Sequence, residues 1–223
     1  MQQAMQGMHS KRSDKRTRRV IVAAVAAAVL LLVSVPTTYS YLAAHTDAVV
    51  NTFAGGAISL TLDEAQVDED GQAIDDAARV GENTYTYVAG ASYDKDPTVT
   101  VLAGSAECYV YVYVDNPLDA NLFTLDYSDA WEVVATDGTA TLYVYTGTVD
   151  AAEADVELEP IFTTVTVSED LTADDVTEIG TQKITVQSYA VQADGLSADD
   201  AAALACSYFN DAYATSFAVE DAS

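Results

Sequence analysis

The segment Cys108-Tyr109-Val110-Tyr111-Val112-Tyr113-Val114 constrains this chain more than any other. Successive side chains of a β-strand point to opposite faces, so Cys108, Val110, Val112 and Val114 share one side and the three tyrosines the other. On a helix the same residues would scatter around the axis, and β-branched and aromatic side chains favour the extended form. The valine side needs a core. The tyrosine side is amphipathic and needs a cover: a loop, a strand or another subunit. Cover from the same domain is the expectation.

The same alternation recurs along the chain. Ala57–Leu62 places Ile58, Leu60 and Leu62 on one face. Strands are expected at Thr84–Val88, Thr98–Leu102, Ile161–Val167 and Lys183–Ala193, and a hairpin over Trp131–Thr136 and Thr139–Thr146 turning at Asp137-Gly138. The acidic stretches Asp63–Asp76 and Asp150–Glu159 read as loops. Ser197, with Asp200 three residues on, precedes an alanine-rich run and predicts a helix over Ala198–Phe209. Many short strands and one helix imply an all-β fold: a jelly-roll-like antiparallel β-sandwich with one short C-terminal helix. No repeat points to a solenoid or propeller.

Charge is distributed unevenly. Six of the nine basic residues (Lys11, Arg12, Lys15, Arg16, Arg18 and Arg19) precede an apolar stretch of 16 residues, Val20–Val35, broken only by Ser34. A membrane-spanning helix needs roughly 20 apolar residues. A basic start, a compact apolar centre and small residues after it are the parts of a secretory signal, here residues 1–40 as an N-terminal signal helix. Cleavage is expected near Ser40–Tyr41, with Ala43 and Ala44 as alternative sites; an uncleaved anchor with its basic end inside the cell is the other outcome. The remainder divides into an N-terminal segment, 41–56, and a β-sandwich domain, 57–223. Only Arg79, Lys95 and Lys183 then face 34 acidic side chains, a formal charge of −31. Such a surface repels nucleic acid and anionic lipid, and opposes self-association until salt, divalent cations or acid screen it. Contact with the membrane is expected only through the precursor's signal helix.

The exported part holds two cysteines, Cys108 and Cys206, which permit one disulfide or two buried thiols. Catalytic chemistry finds little support. His45 is the one histidine after residue 40, there is no His-Glu-x-x-His, and zinc catalysis asks for several nitrogen or sulfur ligands. In Asp68-Glu69-Asp70-Gly71, Asp68 and Asp70 are weak calcium candidates, but Gln66 and Ala77 fall where an EF-hand loop needs its first and last carboxylates. The pairs Asp126/Asp129 and Asp199/Asp200 are such as chance supplies in an acidic chain. No enzymatic role and no cofactor is expected.

A family pattern emerges from several pieces taken in order. Tyr41-Leu42-Ala43-Ala44-His45-Thr46-Asp47, followed by Asn51-Thr52-Phe53-Ala54-Gly55-Gly56-Ala57-Ile58-Ser59-Leu60, resembles the start of the TasA/camelysin family, with Leu42 in place of a phenylalanine and two extra residues before Thr46. Asp96-Pro97-Thr98-Val99 with Ala106–Val112 is similar to that family's K-x-P-x-V and YVRV strands, Tyr111 replacing the arginine. Pro160–Val165 resembles an LF-x-x-V strand, and Ile184–Gly195 with the alanine-rich helix resembles the family's close. The resemblance implies a secreted surface or biofilm-matrix protein of a Gram-positive cell, exported with a SipW-like signal peptidase. It further implies itself as partner in a homopolymer, and other matrix proteins beside it. Some members build fibres by donating an N-terminal strand. The donor here would be Ala48, Val49, Val50, Asn51, Thr52 and Phe53, adding to an open sheet edge. The other outcomes are that this strand completes its own sheet in a monomeric extracellular binding module, or that the chain is a metallopeptidase, as camelysin-like members have been classed.

Overall fold

A computed structural model describes residues 51–53 and 56–219, with side chains from Ile58 onward. Twelve strands and two helices follow one another: β1 Asn51–Phe53, β2 Gly56–Ile58, β3 Leu60–Asp63, β4 Ser92–Asp94, β5 Thr98–Val101, β6 Cys108–Asp115, β7 Phe123–Tyr127, β8 Trp131–Asp137, β9 Ala140–Tyr145, β10 Val156–Glu157, β11 Phe162–Val167, α1 Ala173–Ile179, β12 Thr185–Gln192 and α2 Ala198–Tyr213. The ladders between them are antiparallel. Their orders are β1-β2, β10-β5-β3, β4-β11-β7 and β12-β6-β9-β8. The fold is therefore β-rich and antiparallel.

The Val/Tyr strand organises the packing. β6 lies inside the four-stranded sheet, between β12 and β9. Val110, Val112 and Val114 enter one core together with Leu60, Leu62, Val99, Val101, Phe162 and Val165, so all three larger sheets contribute to it. Tyr111 and Tyr113 enter a second core with Leu142, Tyr189, Ala201, Ala205 and Phe209, under α2. The cover comes from the same domain, as expected, and it is a helix. Alanines at 201, 202 and 205 let α2 approach the sheet closely. Tyr113 stacks on Phe209 and Tyr213 with ring centroids 5.4 and 4.3 Å apart, and Tyr189 stacks on Tyr208 at 4.2 Å.

Local chemistry sets the helix ends. Ser197 Oγ accepts the Asp200 N–H at 3.1 Å, the anticipated N-cap. The helix runs to Tyr213, beyond the expected Phe209, and stops at Ala214 in the left-handed region. Asn210 then holds the tail: its Oδ1 accepts the Phe217 N–H at 2.8 Å and its Nδ2 donates to the Phe217 carbonyl at 3.0 Å.

Several expectations need correction. Among the described residues there are two helices where one C-terminal helix was expected: α1 begins with a Thr172/Asp175 capping box and fully buries no residue, and only the half-buried Val176 and Ile179 mark an apolar side. Thr84–Val88 is not a strand. Its two tyrosines act as hooks, Tyr85 Oη donating to the Asp94 carbonyl at 2.8 Å and Tyr87 Oη to the Gln182 carbonyl at 3.2 Å, and Tyr93 of β4 accepts the Val88 N–H at 3.0 Å. Ala57–Leu62 is divided at Ser59, whose N–H donates to Ser105 Oγ. The hairpin pairs Asp137 with Ala140, so the loop is Gly138-Thr139, one residue later than anticipated. Gly138 alone has positive φ (60°), the pattern of a turn with glycine first. β4, β7 and β10 are additional short strands; β10 lies inside the expected loop 150–159. The signal helix, residues 1–40, lies outside the described residues. Among the described residues no helix is long and apolar enough to cross a membrane.

Candidate functional site

The structure describes half of the expected donor segment. Asn51, Thr52 and Phe53 form β1, which turns back on β2 with Asn51 opposite Ile58 and Phe53 opposite Gly56. Their ladder shares no backbone pairing with the three larger sheets, although Ile58 at the end of β2 is buried in the main core. Ala48, Val49 and Val50, the cleavage residues Ser40 and Tyr41, and His45 lie outside the described residues. Among the larger sheets, β8 is a seven-residue edge strand paired only with β9. Val133 on it is 59 % exposed, and Glu132 beside it is exposed too. A bulge between Val133 and Ala135 interrupts its register. The opposite edge, β12, lies against β2 and β3.

Cys108 and Cys206 are both free, and no bridge joins them. Cys108 lies in the valine-side core and Cys206 in the helix-side core, so the sheet separates them. Burial, aided by the charge of Glu107, pushes the Cys108 thiol up to about 11, and burial also raises Cys206. Neither resembles an activated nucleophile, which needs a lowered pKa.

Three of the acidic residues that invited a calcium or catalytic reading, Asp68, Asp126 and Asp200, have structural partners. Asp68 Oδ1 accepts the N–H groups of Asp70 and Gln72 at 2.9 and 3.0 Å, shaping a turn around itself. Asp70 is an exposed residue of that turn. Among the described residues, no three His, Cys, Asp or Glu side chains converge as metal ligands. Asp126 Oδ1 accepts the N–H groups of Thr163 and Thr164 at 3.0 and 2.6 Å, and its Oδ2 accepts Thr163 Oγ1 at 2.5 Å. It thereby satisfies the β11 backbone where its register with β7 shifts. Asp129 is exposed, and Asp200 belongs to the α2 cap.

The most unusual group was not singled out in the sequence. Glu64 and Lys95 are fully buried and paired, Lys95 Nζ to Glu64 Oε2, at 2.5 Å. Asn83, also buried, donates from Nδ2 to Glu64 Oε1 at 3.1 Å and to the Ala65 carbonyl at 2.7 Å, while its Oδ1 accepts the Val67 N–H at 3.1 Å. The Val67 bond requires oxygen at that position, so the amide orientation follows from the network. Lys95 Nζ also lies 5.8 Å from the centroid of the Tyr85 ring. Burial, reinforced by the charge of Glu64, pushes the Tyr85 phenol far above its ordinary value. Arg79 forms a separate, half-exposed group: it pairs with Asp63, reaches Asp96 Oδ2 at 2.9 Å, and donates to Thr98 Oγ1 at 2.8 Å. Beside it, Glu64 and Val80 exchange backbone hydrogen bonds at 2.8 Å.

A signal for this cluster was present in the alternation. Glu64 continues the inward phase of Ile58, Leu60 and Leu62, and Lys95 that of Tyr93. Read as part of the acidic loop, Glu64 lost that phase. With Asn83, the pair forms an amine, a carboxylate and a carboxamide in one dry site, a set suited to proton transfer and acyl chemistry. No family model, no curated protein and no solved structure matches the chain.

Proposed function

We propose that this chain is a secreted, acidic surface or matrix protein, a non-enzymatic fibre subunit that joins copies of itself by N-terminal strand donation. On this reading residues 1–40 are a signal helix removed near Ser40 by a SipW-like peptidase, and the remainder is a jelly-roll-like sandwich. The observation that carries the reading is the placement of β1. It is held by a three-pair ladder to β2 and is not integrated into the larger sheets. β2 is anchored through the buried Ile58, but β1 has only these three pairs, so exchanging them for a longer edge is energetically accessible. The acceptor would be β8, whose outer backbone edge is unpaired and which exposes Val133 on one face. Its bulge and Glu132 are features that discourage indiscriminate pairing and leave room for a matched strand.

A second reading rests on the same ladder. If β1 stays on β2, the protein is a monomeric extracellular binding module. Electron microscopy and sedimentation of the protein beginning at Tyr41, with and without residues 41–53, distinguish the two in calcium or mild acid. Filaments from the longer form alone support strand donation; monomers from both forms refute it.

A further inference from the structure

We propose that Lys95 and Asn83 become joined by an intramolecular isopeptide bond, with Glu64 carrying the protons. The inference does not rest on strand donation. It rests on the buried cluster, where one carboxylate touches both the lysine amine and the nitrogen of the asparagine carboxamide. All three side chains are out of water: Glu64 is 0 %, Lys95 1 % and Asn83 8 % exposed.

Each part of an acyl transfer has a candidate. In a dry site, a proton passing from Lys95 Nζ to Glu64 Oε2 removes two opposite charges and leaves a neutral amine. That nitrogen attacks Asn83 Cγ, forming the Nζ–Cγ bond, and the carbonyl electron pair moves onto Oδ1. The Val67 N–H, already 3.1 Å from Oδ1, stabilises the charge that develops there. Glu64, in contact with Nδ2, protonates it; the Cγ–Nδ2 bond breaks and ammonia leaves. Nζ gives up two protons in all. One departs with the ammonia and the other remains on Glu64. The ammonium, carboxylate and carboxamide are replaced by a secondary amide, a neutral acid and ammonia, so atoms and charge balance without oxidant or reductant. The reaction also removes a buried ion pair, whose desolvation is costly. The Tyr85 ring covers the amine on one side.

The product ties the irregular segment after Arg79 to the end of β4. Tyr85, Tyr87 and Tyr93 lie between the joined residues, so chymotrypsin opens the ring without separating its ends. Full-length protein, denatured, reduced, alkylated and digested with chymotrypsin, is expected to yield the fragment ending at Tyr85 covalently attached to the fragment beginning at Asp94. The joined mass should be short by one ammonia relative to the two free fragments. Lys95→Arg, which keeps the charge, should give separate fragments only, and Glu64→Gln should reduce linkage at least tenfold. Separate fragments from the wild-type protein overturn the proposal. So does a link that has lost water and ends on Glu64. Linkage in Glu64→Gln equal to wild type overturns the role of the carboxylate. The wild-type digest is decisive even if a variant fails to fold.

Discussion

Lys95 and Lys183 show how one residue type behaves in two environments. Lys95 is sealed against Glu64, whereas Lys183 is exposed. Removing one partner of a buried ion pair leaves the other uncompensated, a loss of about 3–5 kcal/mol. Lys95→Met, which leaves Glu64 without its cation and permits no link to Asn83, is expected to lower folding stability by at least that amount in urea titrations, and Lys183→Met to change it by no more than about 0.5 kcal/mol. Asp126 provides a pH-dependent counterpart. Its partial burial works to raise its pKa, but the hydrogen bonds from Thr163 and Thr164 together outweigh this and lower it. A carboxylate whose folded pKa is depressed contributes stability above its unfolded value, and that contribution is lost as pH falls through the folded value. Urea midpoints should therefore fall on acidification below the ordinary carboxylate range. Asp126→Asn should flatten this dependence and cost about 1 kcal/mol at neutral pH, in proportion to weakened partly hydrated hydrogen bonds.

Among the elements, α2 decides how the tyrosine face of β6 is used. Without it, Tyr111, Tyr113 and Tyr189 would present a broad aromatic surface to water or to a partner. Phe209, fully buried, is the helix side chain that reaches Tyr113, Tyr189 and Tyr208 together. Phe209→Ala should cost about 3–5 kcal/mol by cavity formation, measured in thermal unfolding. Cys206, on the same helix, should then react faster with a thiol reagent, while Cys108 on the far side of the sheet should not. A helix held to the sheet largely by aromatic stacking also explains why its C-terminal turn, containing Tyr213, exceeds what the alanine run suggests.

For the whole molecule, charge sets the conditions of assembly. Beyond residue 40, three cations face 34 acidic groups. Two of the three, Arg79 and Lys95, are engaged in ion pairs within the chain. Copies of such a protein repel one another until salt shortens the screening length to about 10 Å at 0.1 M. Sedimentation of the protein beginning at Tyr41 should show monomers at low salt and neutral pH. Multimers should grow as salt, calcium or acid is added; multimers that persist unchanged at low salt would refute control by charge.

The main architecture was legible in the sequence because it is local. The alternation in β6 identified a strand with a core face and an amphipathic face, and Ser197 with Asp200 marked where α2 begins. Short strands such as β10 and a helix without a buried stripe, α1, carry too little periodicity to be read. The fate of the cysteines, the cover over the tyrosines and the meeting of Glu64, Asn83 and Lys95 depend on contacts between residues far apart in the chain. Periodicity gives the side on which a residue lies; only the packing of the sheets decides what it meets there, because burial selects partners by shape and charge, not by sequence distance.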